Sequence, residues 1–293
     1  MKKAALTLFI IVLLSSQPIF SLDLEFIGGL GNLAFNNDRT MALSDDVNPG
    51  AFSSNFYPLI RTGMSGEYRN FSFKAGFERD PILRNRFFTN LRADFNYFYV
   101  ETGPFIGLFN SQKQPFNPGL SAAMGLQIPG IIFAELNGSS TLAAPLDLTG
   151  FYYQNNGGIS LGFWVPYVVC SLNMIVKNYA YHKETDLIIK DSLNRYFFRA
   201  DVYTKNIPYT IQVDLGFQNL SRSYYLQDLT DEFKSIFMGL EVTYTLNQSV
   251  KFIFGGEMPV YSWSKSPMKN PPKSSFLFEA WTGAVWTLQG KDR

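Results

Sequence analysis

Apolar and polar residues alternate with a period of two along most of the chain. Between residues 71 and 78 every second residue is apolar, and Lys74 and Glu78 fall in the other set. Successive side chains of a β-strand point to opposite faces, so this segment predicts a strand with one apolar and one polar face. The same pattern recurs in residues 91–96, 195–202, 207–218 and 236–245. No helical period competes with it there.

Glycine, proline and polar clusters divide the chain into about fourteen such segments. Short and long joints alternate, which predicts an antiparallel meander with an even number of strands and both chain ends on the short-turn side. Short joints are predicted near residues 68–70, 95–97, 128–130, 165–167, 205–208 and 246–249. Long joints are predicted near residues 35–53, 79–85, 110–118, 142–156, 181–191, 221–231 and 264–274. Twelve strands are the alternative, if residues 22–34 pack inside the fold.

Charged residues are confined to one of the two faces. The apolar register runs from Leu22 to Leu288 without a charged residue in any predicted strand. Lipid does not tolerate charge, whereas a water-filled interior does. The pattern predicts an all-β, antiparallel transmembrane β-barrel of about 14 strands, with short periplasmic turns and longer surface loops. The predicted lumen-lining residues are Arg61, Glu67, Lys74, Arg92, Asp94, Glu101, Glu135, Arg195, Arg199, Asp201, Asp214, Glu241, Lys251, Glu257 and Glu279.

Two other architectures stay open at this point. A large exported β-sandwich would also alternate, although it would have to bury about 70 apolar positions and expose all the charged faces. A membrane helix over residues 159–176 is the second, because that stretch is uncharged and long enough to span a bilayer. Pro166 lies at its middle among β-branched residues, which favours a turn between two strands.

The first 21 residues have the layout of a secretory signal peptide. Lys2 and Lys3 precede an apolar run that ends at Leu14, and a short polar stretch follows. We therefore predict a cleaved signal peptide at residues 1–21, a single barrel domain at residues 22–293, and location in the cell outer membrane.

Composition and local motifs exclude several kinds of chemistry. The chain is 46% hydrophobic, 16% aromatic and 17% charged, and its formal net charge of +1 gives no case for nucleic-acid binding. A single cysteine, Cys170, precludes an internal disulfide, and a single histidine, His182, precludes a metal site built on a histidine pair. The glycines of residues 29–34 match a dinucleotide fingerprint, but no helix opening follows them. Oxygen ligands for Ca²⁺ could come from Asp38, Asp45, Asp46 and Asn48. We predict no catalytic residue, no metal and no cofactor.

With these features the chain resembles the bacterial outer-membrane β-barrel proteins over its full mature length. The sharpest similarity is in residues 281–288, where Gly283, Trp286 and Leu288 follow the pattern of the assembly signal of that class. The resemblance implies that outer-membrane lipid and the barrel-assembly machinery are partners. A weaker similarity links residues 45–52 to the Asn-Pro-Ala element of fatty-acid-transporter-like barrels.

The enclosed lumen leads to the functional prediction. The chain resembles the fourteen-stranded monomeric porins, which implies an outer-membrane channel for passive passage of small hydrophilic solutes or ions. One alternative is a carrier of hydrophobic small molecules, and another is a structural or adhesin surface barrel whose contact loop is residues 35–53. The carrier is suggested by the inward aromatic residues Tyr99, Phe105, Phe133, Trp164, Phe197 and Trp281.

Acidic residues outnumber basic ones on the inward register, which predicts a modest preference for cations. Two pairs are expected to neutralise locally, since their members lie two residues apart on one strand face: Arg92 with Asp94, and Arg199 with Asp201. The carboxylates then predicted to be unpaired, and to set the sign of the selectivity, are Glu101, Glu241, Glu257 and Glu279.

Overall fold

A computed structural model of the chain describes residues 21–32, 57–80, 82–108, 116–142, 153–184, 187–203, 207–224, 229–265 and 278–289. Over these residues no helix is long and apolar enough to cross a membrane. The strands in chain order are β1 (Ser21–Gly31), β2 (Tyr57–Tyr68), β3 (Phe71–Asp80), β4 (Arg84–Asp94), β5 (Phe98–Leu108), β6 (Phe116–Ile128), β7 (Ile132–Thr141), β8 (Tyr153–Val165), β9 (Val168–Glu184), β10 (Leu187–Tyr203), β11 (Tyr209–Tyr224), β12 (Leu229–Asn247), β13 (Val250–Lys265) and β14 (Glu279–Gln289).

The fourteen strands close into one antiparallel barrel. Each strand pairs with the strand before and after it in sequence, and β1 pairs with β14, with Leu24 opposite Trp286. Closure leaves no strand edge, so the main-chain groups of the wall have partners within the sheet. The predicted fold and the count of fourteen are therefore confirmed. The alternative of twelve strands is wrong, because β1 belongs to the wall and pairs with both β2 and β14.

The outer face of the barrel is apolar over the height of the bilayer. Large side chains such as Phe26, Leu91, Leu126 and Leu172 are exposed there, with Leu126 65% exposed. A soluble sandwich would bury such a face, so its exposure around a closed sheet is the arrangement expected of a protein in lipid.

The six predicted short joints all fall between consecutive strands on one side of the barrel. Left-handed backbone occurs there at Arg69 (φ 55°), Gly130 (φ 76°) and Tyr167 (φ 70°), as tight hairpin turns require. The helix considered over residues 159–176 is wrong. Those residues form the end of β8, a turn and the start of β9, and Val165 pairs with Val168 across the turn.

Three of the predicted long joints are wrong in extent. The expected loop at residues 181–191 is largely strand, since β9 continues to Glu184 and β10 begins at Leu187. The expected loop at residues 221–231 is likewise part of β11 and β12, and the joint at 79–85 is reduced to a tight turn. Polar residues suggested loops there, but a strand that rises above the bilayer has polar residues on its outer face as well. The other predicted long joints lie largely outside the described residues.

The wall is consequently of unequal height. Strands β2 to β8 have 10 to 13 residues, whereas β9 to β12 have 17, 17, 16 and 19. About 9–11 tilted residues cross a bilayer, so the longer strands project beyond it on the loop side. Their outer face carries charges there: Lys190 on β10 and the ion pair Lys234–Glu232 on β12 (2.9 Å).

Several other sequence-based predictions fall at the margins of the described chain. The predicted signal peptide lies outside the described residues except for Ser21, which begins β1. The possible Ca²⁺ ligands at residues 38–48 also lie outside them. Gly29 and Gly31 of the dinucleotide-like motif lie within β1.

Aromatic rings line parts of the inner face by lying over glycines of the neighbouring strand. In four of the five pairs a Cβ added to the glycine would overlap the ring, and at Gly216 it would overlap the Cβ of Phe197. The absence of a side chain therefore lets the ring lie flat against the wall instead of projecting into the lumen. The pairs are Tyr99 with Gly125, Phe105 with Gly119, Phe133 with Gly162, Phe197 with Gly216 and Trp281 with Gly255.

Candidate functional site inside the barrel

A cavity of about 480 Å³, called here the interior chamber, lies within the barrel. Residues from β1 to β4 and from β8 to β14 line it, so it is enclosed by most of the circumference. Its apolar lining includes Ile27, Leu193 and Leu220. Its charged lining residues from the interior register are Arg61, Glu78, Asp80, Arg86, Lys177, Arg195, Arg199, Asp214, Glu241, Glu257 and Glu279.

Two arginines of β10 organise the charged wall of the chamber. Arg199 donates to both carboxylate oxygens of Asp214, at 2.8 Å each. Arg195 binds the Glu257 carboxylate, with one Nη1–Oε2 distance of 3.0 Å, and also donates to the Gln218 side chain. Such charge-assisted, two-pronged contacts hold the planar guanidinium in one orientation. These arginines are therefore rigid parts of the wall.

Two predictions about these charges are wrong. Glu257 was expected to be unpaired, but Arg195 neutralises it. Arg199 was expected to pair with Asp201, but its partner is Asp214, directly opposite on β11. Directly opposed residues on neighbouring strands lie about 5 Å apart, closer than residues two apart on one strand, so the cross-strand acid is the nearer partner.

Two chamber carboxylates are held by neutral donors instead of by basic residues. Glu241 accepts a hydrogen bond from Trp281 Nε1 at 2.8 Å, and Glu279 accepts one from the Tyr57 hydroxyl. Neither has an ion pair within the described part of the chain. They are consequently the two chamber carboxylates without an ion pair among the described residues.

A second group of predicted lumen residues lies outside the chamber, on β4, β5 and β7. Arg92 pairs with Asp94 at 2.6 Å and stacks 3.6 Å above the Tyr99 ring. Glu101 accepts a hydrogen bond from Asn90 at 2.6 Å. Farther along, Glu135 contacts Asn137 at 3.3 Å.

The remaining predicted residues are spread more widely. Glu67, Lys74 and Lys251 are exposed near the short-turn side, and Asp201 is half-buried on β10. Arg61 lines the chamber and pairs with Glu25 of β1. The structure thus gathers seven predicted residues into one chamber: Arg61, Arg195, Arg199, Asp214, Glu241, Glu257 and Glu279.

The sequence reasoning missed four charged residues of the interior. Asp80 and Arg86 flank the turn between β3 and β4, and Arg86 pairs with Glu78. Higher in the wall, Arg222 of β11 binds Asp191 of β10 through both oxygens at 2.6 and 2.8 Å, with both side chains at most 1% exposed. All four lie within or beside segments predicted as loops. The continuing alternation through residues 187–224 was the signal that could have placed Asp191 and Arg222 on strands.

The loop-side ends of β5 to β8 are packed differently from the chamber. Phe105, Asn117, Thr141 and Gln154 are all at most 4% exposed. The side chain of Gln154 lies close over Gly107 and donates to the Asn85 carbonyl of β4 at 3.4 Å. This sector of the interior is closed by side chains, so the accessible space lies on the side formed by β9 to β14 and β1 to β3.

A closed fourteen-stranded meander with an apolar exterior and a charged interior defines a transmembrane β-barrel of the bacterial outer-membrane type. No protein-family model matches the sequence, and no curated protein sequence matches it.

Among solved structures, the chain is similar to a loop-deletion variant of OmpT, an outer membrane protein of Vibrio cholerae (TM-score 0.47, 7% identity, covering 93% of this chain and 99% of that one). It is also similar to an outer membrane channel of Pseudomonas putida F1 (TM-score 0.46, 10% identity, 93% and 97%). A third similar structure is a porin (TM-score 0.42, 9% identity, 93% and 100%). At these identities the similarity concerns the fold alone.

Proposed function

We propose that this protein is an outer-membrane channel through which small hydrophilic solutes or ions pass passively. The observation that carries the proposal is the interior chamber of about 480 Å³, which is lined by charged side chains from most of the barrel wall. Charged groups facing an enclosed space are costly unless they are paired or water reaches them, and Glu241 and Glu279 have no ion pair among the described residues. A hydrated chamber inside a closed sheet provides a path for polar solutes that the surrounding lipid excludes.

The arrangement of charges supports a modest cation preference. The arginines of the chamber wall form ion pairs with acids, whereas Glu241 and Glu279 have no ion pair among the described residues. The chamber is narrower than a few Debye lengths of about 8 Å, so these charges act on ions anywhere in it. The low-dielectric wall concentrates their field in the lumen.

A carrier of hydrophobic or amphipathic molecules is the second candidate. It is favoured by the apolar part of the chamber lining, which includes Ile27, Leu59, Ile175, Leu193 and Leu220. The adhesin alternative depends on residues 35–53, which lie outside the described chain.

Planar-bilayer recording tests the channel proposal directly. Purified protein should insert and give discrete conductance steps, and reversal potentials in a potassium chloride gradient should indicate cation preference at low salt. A competing apolar solute such as a fatty acid should leave the current unchanged if the pathway serves hydrophilic solutes. Block by the fatty acid would favour the carrier. Absence of any conductance from folded, inserted protein would overturn the channel proposal.

The same proposal includes the partners of the barrel. We propose that lipid of the outer membrane covers the apolar outer face, and that β14 is the element recognised by the barrel-assembly machinery. Trp286 and Leu288 are 43% and 53% exposed on the outer face of this strand, where a second protein can reach them before lipid does. Proteinase protection of the assembled barrel in intact cells, lost when both residues are replaced by serine, would support this role for β14.

A further inference from the structure

The turn between β3 and β4 is buried inside the barrel. This inner turn comprises Asp80, Ile82 and Leu83, and the last two side chains are only 2% and 1% exposed. Turns and loops normally run over a protein surface. The inner turn is therefore folded toward the lumen rather than outward to water.

Two kinds of contact fix the inner turn in this position. Asp80 Oδ1 accepts hydrogen bonds from the backbone nitrogens of Ile82 and Leu83, both at 2.8 Å, which closes the turn on itself. The other carboxylate oxygen, Oδ2, forms an ion pair with Lys177 of β9. One aspartate thus shapes the turn and anchors it.

The ion pair of Asp80 with Lys177 joins strands that are far apart in the barrel wall. Strands β3 and β9 are separated by five strands in one direction and seven in the other, so they stand on opposite sides of the barrel. Fourteen strands spaced about 4.8 Å apart and tilted by about 40° enclose a circle roughly 28 Å across. That span exceeds the combined reach of a lysine and an aspartate. The contact therefore requires the inner turn to cross much of the lumen, or the barrel to be narrowed at this level.

Contacts of the residues just after the inner turn also show that the hairpin end leans across the lumen. Arg86, just after the turn, donates to Ser139 of β7 at 3.3 Å, and the Asn85 carbonyl accepts from Gln154 of β8 at 3.4 Å. The end of the β3–β4 hairpin thus leans toward β7, β8 and β9. It separates the packed sector of the interior from the chamber, and Ile82 and Leu83 form part of the chamber lining.

We propose that the inner turn is the size filter of the channel and that the Lys177–Asp80 contact is the latch that holds it across the lumen. This inference rests on the proposed channel function and assigns the selectivity for solute size to particular residues. A latched turn narrows the accessible path to the chamber. Release of the latch lets the hairpin end swing toward the β3–β4 wall and widens the path.

Three matched substitutions test the filter by conductance. Lys177→Met removes the charge but keeps the length of the side chain, and Asp80→Asn keeps the oxygen that closes the turn but removes the charge of the latch. Both should raise single-channel conductance and shift the cut-off for neutral polyethylene glycols to larger polymers. Lys190→Met makes the same change on the outer face of β10 and should shift neither. A conducting channel whose cut-off is unchanged by both latch substitutions would overturn the filter.

A cross-linking experiment tests the latch without depending on conduction. In a Cys170→Ala background, the pair Asp80→Cys and Lys177→Cys should be joined within one chain by a short bifunctional thiol reagent, which alters mobility on a denaturing gel. The pair Asp80→Cys and Lys190→Cys should not be joined, because position 190 faces outward. No cross-link in the first pair, or equal cross-linking in both, would overturn the latch. Failure of the wild-type protein to conduct would instead overturn the channel proposal alone.

Discussion

Removing the arginine of the buried Arg222–Asp191 pair is expected to destabilise the barrel more than removing the arginine of a partly exposed pair. Arg222→Met keeps much of the aliphatic length of the side chain but leaves the Asp191 carboxylate without its arginine, where both side chains are at most 1% exposed. The matched comparison is Arg199→Met, which removes the same type of residue from a pair with Asp214 between the same two strands. That pair is 33% and 13% exposed.

The difference in burial sets the expected magnitudes. Breaking a buried pair by removing one partner costs about 3–5 kcal/mol, because the remaining buried charge loses its oppositely charged partner. The partly hydrated Arg199 pair should cost about 1 kcal/mol or less, since solvent screens the remaining acid. A gap of at least about 2 kcal/mol corresponds to roughly a thirtyfold difference in the unfolding equilibrium constant. Replacing both partners, in Arg222→Met with Asp191→Leu, should recover most of the loss.

Urea titration of the barrel folded into phospholipid vesicles measures these free energies. The folded fraction is read from the mobility of unboiled samples on a gel, and the midpoint and slope give the free energy of unfolding. Equal losses for Arg222→Met and Arg199→Met would refute the reasoning, because burial is the variable that separates the two sites. A double variant no more stable than Arg222→Met would also contradict it.

Three further predictions concern other parts of the molecule. Gly125→Val should lower stability by about 1–3 kcal/mol because its side chain meets the Tyr99 ring, and Tyr99→Ala in the same chain should restore folding measured by heat-modifiability. Glu241→Gln should reduce the cation-to-anion permeability ratio at low salt. The effect should be small in 1 M salt, because the Debye length there is about 3 Å. An unchanged ratio at low salt would show that Glu241 does not face the ion path. A tag inserted at Lys183 should be labelled on intact cells and one at Asn247 should not, whereas the opposite result would invert the orientation of the barrel.

The fold could be predicted from the sequence because every strand of a barrel in lipid has the same alternation of apolar and polar residues. Each strand must show an uncharged side to lipid, so the period of two and the one-sided placement of charge are visible without knowledge of any contact. The alternation of turns then gives the number of strands. The errors at residues 181–191 and 221–231 arose where the strands leave the bilayer, because their outward residues there are polar and no longer distinguish a strand from a loop.

The site was less predictable, since its contacts depend on how distant strands are staggered. Glu257 and Arg195 come from strands that are three apart, and their contact depends on the tilt and stagger of the closed barrel, which no local pattern reveals. The contact of Lys177 with Asp80 is still less accessible to sequence reasoning. It requires a hairpin end that folds inward, whereas the composition of residues 79–85 suggests an ordinary polar loop.

The pairing of β1 with β14 has a consequence for how the protein is made. Leu24 and Trp286 meet only after nearly the entire chain has been synthesised, and closing a loop of that length costs about 5 kcal/mol of chain entropy. Until then β1 and the growing end of the sheet each present a row of unpaired backbone groups to any other strand nearby. Pairing of β1 with β14 completes the barrel and removes both unpaired strand edges. Assembly of the barrel and protection against aggregation are therefore a single event.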